Sequence, residues 1–157
     1  MMTDKWPQQH PELIQLYTLA TPNGQKVSVA LEELQLPYEA HRVDIGSNEQ
    51  FFPEFLALNP NNKIPVIIDP QGPGGAPLTL FESGAICDYL LTRHGEGRLM
   101  PDRHGPDYLA FVELLYFAIS SGMNPIMQMM HARARGHAPD DYVVAELARV
   151  LSYIEIK

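Results

Sequence analysis

Cysteine is almost missing from this chain: Cys87 is the one cysteine in 157 residues. An internal disulfide is therefore impossible, and a zinc site built on several thiolates is excluded. Without a CxxC pair the chain cannot run a dithiol cycle by itself. Basic residues are scarce too. Eleven Lys/Arg stand against nineteen Asp/Glu, a formal net charge of -8. Such a surface has no basic field to hold a phosphate backbone, so no nucleic-acid partner is expected. The imbalance is uneven: residues 1–96 carry five Lys/Arg against twelve Asp/Glu, and residues 97–157 carry six against seven. No uninterrupted apolar run approaches a membrane span, and MMTDKWPQQHPEL lacks the apolar core of a signal peptide. These absences predict a cytoplasmic location and no membrane partner. The remaining composition, 45% hydrophobic and 19% charged, is that of a globular fold. The length suits one ordinary domain, or a small domain plus part of another.

Hydrophobic periodicity then divides the chain. After a polar leader over residues 1–12, LIQLYT at 13–18 reads as a strand. Thr21-Pro22-Asn23-Gly24 reads as a turn or helix start, with Thr21 as cap and Pro22 in the first turn. Val27, Ala30, Leu31 and Leu34 share one helical face, and Pro37 ends that helix. A strand over Tyr38–Val43, a short helix over Phe51–Leu58 and a strand over Ile64–Ile68 follow. Pro65 marks an edge, bulge or break in that strand. A Gly/Pro-rich turn leads to a strand at 78–80, and Ser83 reads as the cap of the next helix. Residues 96–106 read as a linker. Beyond it, residues 107–132 are helix-compatible, with Phe111, Leu114, Leu115, Ala118 and Ile119 expected inward and Ser121-Gly122 and Pro125 expected to bend the helix. Val144, Leu147, Leu151 and Ile154 mark a last amphipathic helix. A helix between the first two strands implies a parallel crossover, and the Gly/Pro-rich turn implies a hairpin. The expected fold is α/β: a small mixed four-stranded sheet over residues 13–95, then an all-helical region over 107–157.

Four segments in this order resemble the glutathione transferase family. They are Leu16-Tyr17-Thr18 through Thr21-Pro22-Asn23-Gly24-Gln25-Lys26-Val27; Val43-Asp44-Ile45-Gly46 with Gln50-Phe51; Asn59-Pro60-Asn61-Asn62-Lys63-Ile64-Pro65; and Leu80-Phe81-Glu82-Ser83-Gly84-Ala85-Ile86. Together they look like the bacterial nu-class branch and its fungal nitrogen-regulator relatives. The resemblance implies a thioredoxin-like domain at 13–95, a helical domain from 107 that is shorter here than in the family, and a homodimer. It implies glutathione as cosubstrate, no metal, and a small disulfide or an electrophile as second substrate. Disulfide reduction is the preferred reaction, with transfer to electrophiles and peroxide reduction secondary. The alternative is a catalytically silent glutathione-binding or assembly module.

The same resemblance assigns residues. Thr21 and Asn23, at a helix N-terminus where free N–H groups favour an anion, are the expected surroundings of the glutathione sulfur. By spacing alone the two residues read first as a cap and a turn. A cis bond before Pro65 is expected to turn the Ile64 backbone toward the cysteinyl part of the ligand. Glu82 and Ser83 are expected at the γ-glutamyl end, Gln50 at the glycyl end, with Lys63 adding charge attraction. Tyr17 and Cys87 are expected to be packed rather than catalytic. His131, Arg133, Arg135 and His137 are expected to form a solvated basic loop. Where the branch places a basic residue on the second helical-domain helix, this chain has Glu146, with Arg149 one turn on.

Overall fold

The computed structural model describes residues 5–156, without the side chain of Ile156. The first four residues of the expected leader, and Lys157 at the end of the expected helical region, lie outside the described residues. The chain divides into two compact units, Met1–Met100 and Pro101–Lys157.

In the first unit β1 (Ile14–Thr18) leads to α1 (Pro22–Glu33) and β2 (Tyr38–Arg42). Two 3₁₀ turns, Ile45–Ser47 and Glu49–Phe51, precede the short α2 (Pro53–Leu56). Then come β3 (Val66–Asp69), β4 (Leu78–Phe81) and α3 (Ser83–His94). The strands form one sheet in the order β2-β1-β3-β4. β1 and β2 are parallel, as the α1 crossover requires, while β3 is antiparallel to both β1 and β4. Pro65 lies just ahead of β3 and so takes no donor out of the ladder. The mixed four-stranded sheet expected from the sequence is thus the one observed.

Alternation along β1 feeds two cores. Leu16 is fully buried, as are Val27 and Leu31 of α1 and Ile86 and Leu90 of α3. Tyr17, next along the strand, joins Trp6, Val43, Phe55, Leu58 and Val66. Trp6 corrects the reading of the leader as merely polar. It is 5% exposed, and its indole N–H donates to the Arg42 carbonyl at 2.8 Å. Its ring meets Tyr17 and Phe55 edge-on. Glu39 accepts from the backbone N–H groups of Gln9 and His10. The segment after Lys5 is therefore fastened to the sheet.

In the second unit α4 (Tyr108–Phe117) passes through a π-helical turn, Ala118–Gly122, into α5 (Met123–Ala134). α6 (Asp141–Ile156) follows. The bend expected at Ser121-Gly122 takes the form of that π turn, so the helix continues unbroken for 27 residues, Tyr108–Ala134. By length and composition alone this stretch is long and apolar enough to cross a membrane, as the core helix of a soluble protein also is. The sequence shows no such run because Glu113, Ser120, Ser121 and Asn124 interrupt it. The expected inward faces also need correcting. Leu114 and Ala118 are exposed. In α6 the buried positions are Val143 and Val150, whereas Val144, Leu151 and Ile154 are exposed. That helix carries two adjacent apolar stripes, and α6 packs through the one that brings Tyr153 onto Phe117, with ring centroids 4.4 Å apart.

Candidate functional site

Strand register gathers the residues that the sequence marks. Tyr17 pairs with Val66, and Val66 with Phe81. The end of β1, the start of β3 and the end of β4 therefore meet at one edge of the sheet. α1 leaves β1 there, Ile64-Pro65 enters β3 there, and α3 leaves β4 there through Glu82. Thr18 lies opposite Arg42, so the loop that carries Gln50 begins at the same edge. A cavity of about 110 Å³ lies at this edge, lined by Asn23, Lys63, Ile64, Pro65, Glu82 and Ser83. Thr21 and Gln50 do not line it.

Local chemistry explains each wall. Thr21 is the N-cap of α1, its Oγ1 accepting from the Gly24 N–H at 3.2 Å, and Pro22 opens the helix. Because the cap uses Oγ1 as an acceptor, the hydroxyl proton stays available to another partner. Gly24 is required at its position: a Cβ there would collide with the Leu19 carbonyl oxygen and Thr18 Oγ1. Asn59, 1% exposed, builds the second wall. Its side chain donates to the Lys63 carbonyl at 2.7 Å and accepts from the Asn61 N–H at 2.9 Å. Asn62 takes a positive φ of 48°, and the Ile64-Pro65 bond is cis, as expected from the family pattern. At the third wall the structure corrects the cap. Glu82, at φ 72°, occupies the N-cap position, and Ser83 is the first helical residue. Ser83 N–H is then one of the unpaired donors of the helix start, beside its hydroxyl.

Gln50 stands apart but is held. Glu49 accepts from the Asp44 N–H at 2.7 Å and pairs with Lys5 Nζ at 2.8 Å. Lys5, and then the Asp44 amide, hold the Glu49 carboxyl below the usual carboxylate range. Gln50 Oε1 is buried and has no hydrogen-bond partner among the described residues.

Two other candidates are packed, as expected. Tyr17 is fully buried, and burial raises its pKa. Burial also raises the Cys87 thiol, with nearby Lys26 opposing it. A thiol so raised is a poor nucleophile at neutral pH. Among the described residues no group of three or more His, Cys, Asp or Glu side chains is arranged to hold a metal ion. His131 and Arg133 fall in the last turn of α5.

Sequence reasoning missed Lys26. Its Nζ donates to Asn23 Oδ1 at 3.0 Å, and the three-residue helical spacing was the available signal. The second unit holds a larger cavity, about 230 Å³, whose lining includes Gln128, Glu146 and Arg149. Its polar walls are largely spent on each other. Arg149 donates through Nε and Nη2 to Glu146, and Gln128 donates to Asn124.

Known proteins resemble this chain in both sequence and fold. Residues 16–98 match the family described as "Glutathione S-transferase, N-terminal domain". The chain is 42% identical over 120 residues to disulfide-bond oxidoreductase YfcG of Escherichia coli, covering 76% of this chain and 54% of that protein. It is 33% identical over 152 residues to protein URE2 of Meyerozyma guilliermondii, covering 89% of this chain and 49% of that one. The chain thus spans about half the length of these curated relatives. A glutathione transferase family member from Pseudomonas fluorescens, solved with two glutathione bound, superposes with a TM-score of 0.87 at 44% identity. That match covers 95% of this chain and 67% of the other.

Proposed function

The chain belongs to the glutathione S-transferase family, and from that premise we propose that it binds glutathione at the edge described above and uses it to reduce small disulfides. We place it beside the bacterial nu-class branch. One observation carries the reading: six residues from three separate segments, chosen from the sequence as ligand contacts, line one cavity.

Each wall has a task. Ser83, through its N–H and hydroxyl, suits the γ-glutamyl carboxylate, and Glu82 suits the ammonium beside it. The backbone of Ile64 pairs with the cysteinyl residue as a short added strand. Gln50 and Lys63 take the glycyl end. Thr21 and Asn23 stabilise the sulfur as thiolate. Lowering a thiol pKa from about 8.5 by two units needs roughly 2.7 kcal/mol of preferential thiolate stabilisation. A hydroxyl, an amide and the α1 N-terminus are the means available. Thr21 acts by donating, since it is no base. The thiolate attacks one sulfur of the disulfide; a new S–S bond forms, the old one breaks, and the departing thiolate takes up a proton. A second glutathione thiolate then cleaves the mixed disulfide. The products are oxidised glutathione and the second thiol, and the two electrons come from two glutathione molecules.

Calorimetric titration with glutathione is expected to saturate in the millimolar range or below, and Ser83→Ala to weaken it. Thr21→Ala is expected to lower turnover more than affinity. A larger loss from Tyr17→Phe would transfer the sulfur contact to a side chain that is packed here. The exposed apolar side chains of α4 and α6 support a homodimer, and they also support a second reading as a silent binding or assembly module. Turnover of a small disulfide, a peroxide or an electrophilic aromatic substrate decides between catalysis and that module. A reducing cytoplasmic location suits a chain whose one thiol is free.

A further inference from the structure

Lys26 lies in the second turn of α1, partly buried, and its Nζ is 3.0 Å from Asn23 Oδ1. Among the described residues no carboxylate pairs with it. Burial pushes its ammonium pKa down, and Cys87 opposes that shift. A partly buried ammonium is therefore committed to a neutral amide oxygen. That commitment carries information. An ammonium has donors and no acceptor, so it can hold only the oxygen end of an Asn side chain. The amide nitrogen, which has no protein partner among the described residues, is the end left for the cavity that Asn23 lines.

We propose that Lys26 is a positioning residue that locks the orientation of Asn23, so that the amide presents N–H rather than oxygen to the glutathione sulfur. This rests on the glutathione reading above. The two ends of an Asn amide are nearly equal in shape, so packing alone does not choose between them. Their effects on a thiolate are opposite: N–H stabilises the charge, and a carbonyl oxygen repels it. The lock therefore acts on ionisation of the ligand and leaves the remainder of its binding alone. Among the described residues, the other charged or titratable groups that act on Lys26 or line the cavity are Cys87 of α3 and, on the cavity wall, Lys63 and Glu82. All three are unchanged in the variants below.

The test compares wild type, Lys26→Met and Lys26→Arg by two measurements. The first is the pKa of the bound glutathione thiol, read from thiolate absorbance against pH. The second is affinity for S-methylglutathione, which has no ionisable thiol. Lys26→Met is expected to raise the bound thiol pKa by about one unit, roughly a tenfold loss of thiolate near neutral pH. Its affinity for S-methylglutathione is expected to stay at the wild-type level. Lys26→Arg, again a pure donor, is expected to restore the low pKa. An unchanged thiol pKa in Lys26→Met overturns the proposal while leaving the glutathione reading intact. An equal loss of S-methylglutathione affinity also overturns it, because it shows a structural role. A wild type that binds neither ligand overturns both readings. Should the methionine variant unfold, Lys26→Gln, which no longer selects the amide end, carries the same pair of measurements and outcomes.

Discussion

The two units use apolar residues differently. In Met1–Met100, buried apolar side chains run from Trp6 through Leu16, Tyr17, Leu31, Phe55 and Ile67 to Leu91. In Pro101–Lys157 the buried apolar side chains among the described residues are Pro125, Val143 and Val150, while Leu109, Leu114, Tyr116, Leu151 and Ile154 are exposed. A sheet with helices on its faces encloses volume; three helical segments in a row enclose little and leave stripes outside. The polar groups follow the same division. Buried Asp69 collects the Tyr89 hydroxyl, the Gln71 N–H and His94, whereas Glu146 and Arg149 pair at a solvated surface. The first unit therefore encloses most of the buried apolar side chains among the described residues, and its sheet carries the candidate site. The second leaves many of its apolar side chains exposed.

Core truncation is the largest lever on that contrast. Phe55 is fully buried against Trp6. Phe55→Ala is expected to cost about 3–5 kcal/mol in denaturant unfolding, enough to threaten the whole first unit. Leu151→Ala, at a position 51% exposed, is expected to change stability by less than about 0.5 kcal/mol. Comparable losses from the two would erase the difference between the units.

Asp69 provides the next test. Burial pushes its carboxyl up, yet bonds from Tyr89, Gln71 and His94 outweigh that and hold it below the usual carboxylate range. A depressed folded pKa means that its stabilisation is complete above the unfolded value, about 3.9, and is lost as pH falls through the folded value. Tyr89, whose own pKa is pushed up to about 12 by burial and by Asp69, stays a donor throughout that range. Tyr89→Phe leaves a buried carboxylate short of one donor. A loss of about 1–3 kcal/mol at neutral pH is expected. Its acid unfolding is expected to begin at higher pH than in wild type, as seen by circular dichroism. An unmoved acid limb would show that the Asp69 cluster does not control it.

Much of this was legible in sequence, and the pattern of exceptions is physical. Thr21 as cap and Pro22 in the first turn were readable because each signal is local, and the family pattern marked Asn23, Ile64-Pro65 and Glu82-Ser83, which line one cavity. Ser83 was misplaced by one position because Glu82 adopts a positive φ that its residue type does not announce. Trp6 was missed because its partner, Arg42, lies 36 residues away. The buried stripe of α6 was misjudged by one position because both of its stripes are apolar, so the choice depends on what packs against them. Lys26 was passed over because a lysine on a helix is ordinarily a solvated residue, so its three-residue spacing from Asn23 drew no weight.

A smaller effect on stability is expected at the uncovered surface itself. Leu109, 77% exposed, is replaced by lysine in α4. Folding is expected to survive, with a change under about 0.5 kcal/mol in the isolated subunit. Light scattering is expected to show the proposed homodimer falling to half its mass. A wild type that is already monomeric would mean that these stripes serve no self-association.

The smallest effect is expected from the Glu146–Arg149 pair. Arg149 donates to both Glu146 oxygens at 2.9 to 3.1 Å, a geometry that a buried pair would turn into strong coupling. Here the side chains are 30% and 56% exposed, so water and salt screen the attraction, and holding two long side chains together costs entropy. Arg149 still draws the Glu146 pKa down. Arg149→Ala is therefore expected to return Glu146 toward its ordinary titration, followed by NMR, while the denaturation midpoint at physiological salt stays within error of wild type. Below the ordinary carboxylate range the two proteins should converge, because a protonated Glu146 has no charge to pair. A loss as large as that from Tyr89→Phe would mean that the pair is shielded from solvent in the assembled protein. The surface of the second unit would then be covered in solution, and the contrast between the units would belong to the single chain alone.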